Sequence, residues 1–144
     1  MRYAWEGDFV DNTGLWKGKP NSVAKVGGKI FYRNNTLSNI RVGNREASEL
    51  KFKGYQLIDR YPEFHYTIDG LDVYELIKPD NNGAALIRTF RIPSANEDVW
   101  FYINEGDGVS YESSAGKVNN KSVVLTAEQA RNFSIVMTKK KKGI

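Results

Sequence analysis

Residues 61–78 constrain this chain more than any other stretch. Phe64, Tyr66 and Ile68 alternate with Glu63, His65 and Thr67, and Asp69-Gly70 then interrupts. Beyond the interruption, Leu71, Val73, Glu75 and Ile77 alternate with Asp72, Tyr74 and Leu76. Alternation with period two is the mark of a strand with two unlike faces. Asp-Gly readily takes the two positive-φ positions of a type I′ turn, whose twist matches paired antiparallel strands. The segment therefore predicts a β-hairpin, and with it the class of the whole chain.

The same pattern recurs elsewhere, broken about every ten residues by Gly, Asn, Asp or Pro, the spacing of short-stranded all-β folds. Val23–Val26 and Ile30–Arg33 flank Gly27-Gly28 and predict a second tight hairpin. Further strands are expected at 50–57, 84–92, 99–103, 109–112, 122–125 and 133–138, with turns at 80–83, 104–108 and 119–120. Thr126 with Gln129 three residues later makes a capping-box pattern, which predicts one short helix near 126–131. Residues 34–49 carry little pattern and read as a loop crossing between sheets. The expectation is an all-β chain: one antiparallel β-sandwich over 1–144, jelly-roll-like or immunoglobulin-like, of about nine to eleven strands. A length of 144 residues suffices for a continuous core without metals or disulfides.

There is no cysteine, so disulfides, thiolate zinc sites, Cys nucleophiles and covalent c-type haem attachment are all excluded for this chain. No apolar run reaches the ~20 residues of a membrane-spanning helix, and no signal-peptide core precedes Tyr3-Ala4-Trp5. If the parent protein is exported, this chain is a mature or excised piece of it. The net charge of +4 equals the contribution of the block Lys139–Lys142, so residues 139–144 read as a basic, solvated tail. Lys51, Phe52, Lys53 and Tyr55 interleave in the manner of base-stacking proteins, but acidic residues on neighbouring segments interrupt any continuous basic groove. Nucleic acid is not an expected partner.

Two blocks carry a resemblance. The first is Tyr3-Ala4-Trp5-Glu6-Gly7-Asp8-Phe9-Val10-Asp11 with Trp16-Lys17-Gly18-Lys19. The second is Phe52-Lys53-Gly54-Tyr55-Gln56-Leu57 followed by Tyr61-Pro62-Glu63-Phe64-His65-Tyr66 and Asp69-Gly70. In this order, over roughly the first 80 residues, they resemble a β-rich accessory module of large exported bacterial proteins. Those proteins also carry sugar-dehydrogenase-like β-propeller and c-type cytochrome domains. The resemblance implies a periplasmic or extracellular setting, neighbouring domains as partners, and a redox or carbohydrate-related context. It transfers no catalytic residue.

Chemistry-bearing residues are few. His65 is the sole histidine, so any histidine-dependent triad or metal site would have to use it. Its place in mid-strand predicts a half-exposed residue paired across the sheet. Glu6, Asp8 and Asp11, and Asp69 with Asp72, are the carboxylate groupings on which a small glycosidase-like enzyme could be built. Acidic residues at turns more often accept backbone N–H bonds. Asp80-Asn81-Asn82-Gly83 and Asn104-Glu105-Gly106-Asp107-Gly108 offer the oxygen ligands that calcium takes. No other cofactor is expected. With eight Tyr, seven Phe and three Trp, the aromatics are the main functional material. Exposed rings stack on the apolar faces of sugars, and Trp16, Tyr61, Trp5 and Tyr55 are the candidate ligand-binding residues. The functional expectation is a non-catalytic accessory or binding module with carbohydrate as a candidate ligand; the alternative is the carboxylate enzyme.

Overall fold

The structure, a computed structural model, describes residues 1, 3–6, 10–11, 25–26, 29–34, 36–103, 108–119 and 121–140. The chain divides into two compact units, residues 1–35 and 36–144.

In the first unit, β1 (Tyr3–Glu6) and β2 (Val10–Asp11) precede β3 (Lys25–Val26) and β4 (Lys29–Arg33). Pairing is nested and antiparallel: β1 with β4, β2 with β3. The expected hairpin folding 23–26 onto 30–33 is thus replaced by longer-range pairing, in which both segments pair with the chain's first strands. Gly27-Gly28 lie outside the described residues.

The second unit holds β5 (Ile40–Val42), β6 (Leu50–Ile58), β7 (Tyr61–Ile68), β8 (Leu71–Pro79), β9 (Ala85–Arg91), β10 (Val99–Tyr102), β11 (Val109–Ser113), β12 (Lys117–Val118), β13 (Ser122–Leu125), α1 (Ala127–Ala130) and β14 (Phe133–Lys139). Ten of these are strands, in a four-stranded sheet ordered β12-β13-β10-β5 and a six-stranded sheet ordered β11-β14-β9-β8-β7-β6. All neighbours are antiparallel. The two sheets pack face to face, and the expected β-sandwich is what residues 36–140 build.

The core lies where alternation puts it. Val73, Phe90, Phe133, Ile135 and Met137 from the large sheet meet Val99, Phe101, Val123 and Leu125 from the small one, all buried. Phe90 stacks on Phe133 at 5.0 Å and tilts against Phe101 at 5.7 Å, joining the layers. Residues 34–49, expected as one loop crossing between sheets, contain β5, which pairs with β10 at the edge of the small sheet; the stretch that crosses to the large sheet is 43–49, between β5 and β6. The capping box is present: the Thr126 hydroxyl accepts from the Gln129 N–H, and the Gln129 side chain accepts from the Thr126 N–H. Lys139 still pairs with Val109, and the Lys140 N–H reaches the Gly108 carbonyl at 2.7 Å, so the ladder extends into the lysine block.

Asp69 (φ 47°) and Gly70 (φ 85°) form the expected turn between β7 and β8. The Asp69 carboxylate accepts from the N–H groups of Ser48 and Glu49, pinning the entry to β6 against this turn. A second two-residue turn, Asp59-Arg60, joins β6 to β7 with φ of 50° and 73° and no glycine. A side chain in the left-handed region costs about 1 kcal/mol, part of which glycine returns as chain entropy. Arg60→Gly is therefore expected to stabilise the fold by about 0.5 kcal/mol, read from the urea midpoint; a loss of stability would mean that the Arg60 side chain contributes more than its strain.

Candidate functional site

The hairpin β6–β7 forms one edge of the large sheet, and its two faces differ in character. The register pairs Leu50 with Ile68, Phe52 with Tyr66, Tyr55 with Phe64 and Leu57 with Pro62. Directly paired residues share a face, so all eight belong to the side that faces the small sheet. Strict alternation would send Tyr55 and Leu57 to the opposite side. A bulge between Phe52 and Gly54 inserts one extra residue and returns them to the apolar face.

The small sheet does not cover this far edge. Phe52, Tyr55 and Leu57 are 63%, 65% and 65% exposed, although they continue the core-facing surface. The Tyr55 ring leans on Phe64 at 6.2 Å. β6 is also an edge strand of nine residues, so one side of its backbone has no strand partner within the sheet. Its other side chains include Lys51, which pairs with Glu49 at 3.1 Å, and Lys53, for which no ion pair occurs among the described residues.

The opposite, outer face is polar. His65, Tyr74 and Arg91 form a row across β7, β8 and β9. The imidazole stacks on Tyr74 at 4.4 Å, and the Arg91 guanidinium covers the tyrosine's ring at 4.5 Å. His65 Nε2–H donates to Asp72 Oδ1 at 2.7 Å. Beside the row, Glu63 is 5% exposed, and its Oε1 accepts from Arg91 at 2.9 Å and from Gln56 Nε2 at 3.0 Å. Burial pushes the Glu63 carboxyl up. The hydrogen bonds from Arg91 and Gln56, with the Arg91 charge, outweigh that and hold it below the usual carboxylate range.

Gly54 lies opposite His65 in the ladder. Its φ of 141° is one that L side chains rarely adopt, and a Cβ there would meet no heavy atom within 4 Å. The result is an open depression of about 280 Å³ lined by Lys53, Gly54, Tyr55, Gln56, Glu63, His65 and Tyr74.

Of the four rings expected to bind ligand, Tyr55 and Tyr61 share this hairpin but face opposite ways: Tyr61, 38% exposed, is on the side of Glu63 and His65. Trp5 is on β1, with its side chain outside the described residues, and Trp16 lies outside them altogether. Glu6, Asp8 and Asp11 offer no described side chain either. Asp69 is committed to its turn, and Asp72 to His65. Asp80 accepts from the N–H groups of Ala84 and Ala85, as a turn residue does, and residues 104–107 lie outside the described ones. Among the described residues, no three His, Asp or Glu cluster as a metal site would require, and no helix is long and apolar enough to cross a membrane.

Glu63, Gln56, Gly54 and Arg91 are the residues that sequence reasoning passed over. Only Gly54 left a signal, since glycine inside a strand pattern often marks a bulge. No protein-family model, curated protein or solved structure matches the chain. Fold and surface define residues 36–140 as a β-sandwich in which β6, a long strand at the end of the six-stranded sheet, has one strand partner among the described residues.

Proposed function

We propose that this chain is a non-catalytic accessory module of a larger exported bacterial protein, and that it works by docking through β6 onto a neighbouring domain. The observation that carries the reading is the strip Phe52–Tyr55–Leu57: an exposed, core-facing surface beside an edge strand that has no second strand partner among the described residues. Such an edge recruits an extended segment by strand addition, with backbone bonds supplying affinity and alternate side chains supplying selectivity. Lys51 and Lys53 bias the choice. They discourage neutral and basic strands and favour one that alternates apolar with acidic residues. The titratable pairs on the large sheet are each held in mutual contact, Glu63 with Arg91 and His65 with Asp72 on the outer face and Glu75 with Arg88 in the core.

Hydrogen exchange tests this reading by comparing the chain alone with the longer protein. Amides of β6 are expected to exchange at least about tenfold more slowly in the longer protein, the factor for about 1.4 kcal/mol of added local stability. Tyr55→Asp is expected to abolish that protection while leaving the melting temperature of the isolated chain nearly unchanged. Equal exchange rates in both contexts would overturn the docking role.

A further inference from the structure

The outer face of the same hairpin holds a feature that docking does not use. Arg91, Tyr74 and His65 form a three-layer stack, and the stack ends where β6 offers glycine instead of a side chain. The imidazole is covered on one side by Tyr74; on the other, in-register side it faces the strand position of Gly54. At the same place Glu63 presents an unspent acceptor. Both of its hydrogen bonds fall on Oε1, and none reaches Oε2 from the described residues. No buried side-chain oxygen among the described residues lacks a partner. Oε2 therefore meets solvent, and Glu63 is one of the residues lining the depression.

The geometry points to a binding subsite for one neutral saccharide ring, slotted above Gly54. Its C–H face would continue the Arg91–Tyr74–His65 stack, and a hydroxyl would donate to Glu63 Oε2. The surroundings decide between ligand classes. A carboxylate that keeps its charge accepts from hydroxyls or from cations. Arg91 and Lys53 beside it disfavour a cation, and the carboxylate itself disfavours an anion. A flat ring with apolar C–H groups on one face and hydroxyl donors at its rim satisfies both the stack and the acceptor. Gln56 and Lys53 at the border supply further donors to ring and hydroxyl oxygens. The inference does not rest on the docking role: the stack and Glu63 lie on the opposite side of the hairpin from Phe52 and Leu57, and only Tyr55 and Lys53 border both.

The sole histidine makes the test direct, because its imidazole Cε1–H signal has no counterpart from any other histidine. The chain is titrated with glucose, galactose, mannose and N-acetylglucosamine, and separately with benzamidine as an organic cation. At least one saccharide is expected to shift the His65 signal saturably, with a dissociation constant on the order of 1 mM for a lone subsite. Gly54→Ala fills the slot and is expected to weaken binding at least about tenfold. His65→Ala removes the platform with a similar loss, read from the Glu63 and Gly54 amide signals, and its otherwise unchanged amide spectrum reports that the sheet persists. No saturable shift with any of the four sugars would overturn the assignment. So would a response to benzamidine alone, or sugar binding undiminished in both variants. None of these results bears on protection of β6 in the longer protein, so the two readings fail separately.

Discussion

Arg88→Met is expected to destabilise the protein by about 3–5 kcal/mol, the cost of leaving a buried charge without its partner. Arg88 is central to the sandwich, 2% exposed, on the core face of β9. Its Nε donates to Glu75 Oε2 at 3.1 Å, one terminal nitrogen donates to Glu75 Oε1 at 3.3 Å, and the other reaches Asn39 Oδ1 at 3.3 Å. Tyr66 donates to the same carboxylate at 2.9 Å, and Asn39 continues the chain of bonds to the Tyr102 carbonyl. The cluster thus runs from three strands of the large sheet to the small one. Methionine fills much of the volume but strands Glu75, itself 2% exposed, in an apolar interior. Replacing both partners, as Arg88→Met with Glu75→Leu, is expected to recover most of the loss, because the buried charge goes with its partner. Urea unfolding followed by tryptophan fluorescence measures both.

The same pair sets an acid limb. Burial pushes the Glu75 carboxyl up, but the Arg88 charge and the bonds from Arg88 and Tyr66 outweigh it, so the net displacement is downward. A carboxyl held below its unfolded value binds its proton less readily in the folded state. Its contribution is complete above the ordinary glutamate value of about 4.3 and fades as pH falls through the folded value. Stability of the native protein is therefore expected to decline below that point, and the double variant's acid limb to be shallower. Tyr66 acts at the other extreme. Burial, with the Glu75 charge, pushes its phenol well up, so its contribution is complete below the ordinary tyrosine value of about 10 and fades above it.

The strands that read clearly from the sequence are those whose signal is local. Asp69-Gly70 adopts the two positive φ values its chemistry favours, and Thr126 with Gln129 closes the capping box. Local signals also misled: Gly27-Gly28 has the composition of a hairpin turn, yet the strands beside it pair in nested fashion with the chain's first two strands, Lys25 with Asp11 and Lys29 with Glu6. Asp59-Arg60 turns with the same backbone as Asp69-Gly70 but without glycine, so composition hid it. β5 is three residues long and has β10 as its strand partner, too short for a period to show. Of the surface features, Tyr55 was visible as an aromatic, whereas the depression was not. Glu63 and Arg91 are 28 positions apart and meet only because β7, β8 and β9 pair in one register. Alternation assigns faces; it does not assign neighbours.

Phe90→Ala is expected to cost about 3–5 kcal/mol, while Phe52→Ala, a substitution of identical chemistry on the same face of the same sheet, is expected to cost well under 1 kcal/mol. Phe90 is fully buried between Phe133 and Phe101, with the Arg88 guanidinium 5.2 Å from its ring centre. Truncation there removes contacts to both sheets and leaves a cavity that two strand-borne rings cannot close. Phe52 points the same way from β6, but no strand of the small sheet lies above it and 63% of its surface meets solvent. The contrast isolates what the far edge is for. Large apolar side chains that contribute little to folding are free to contribute to association, and exposed aromatic and aliphatic anchors are the usual centres of binding surfaces. If Phe52→Ala proved as costly as Phe90→Ala, β6 would belong to the core and the docking strip would lose its basis. A stable Phe52→Ala variant that no longer protects β6 in the longer protein would place the strip's work in the contact between domains.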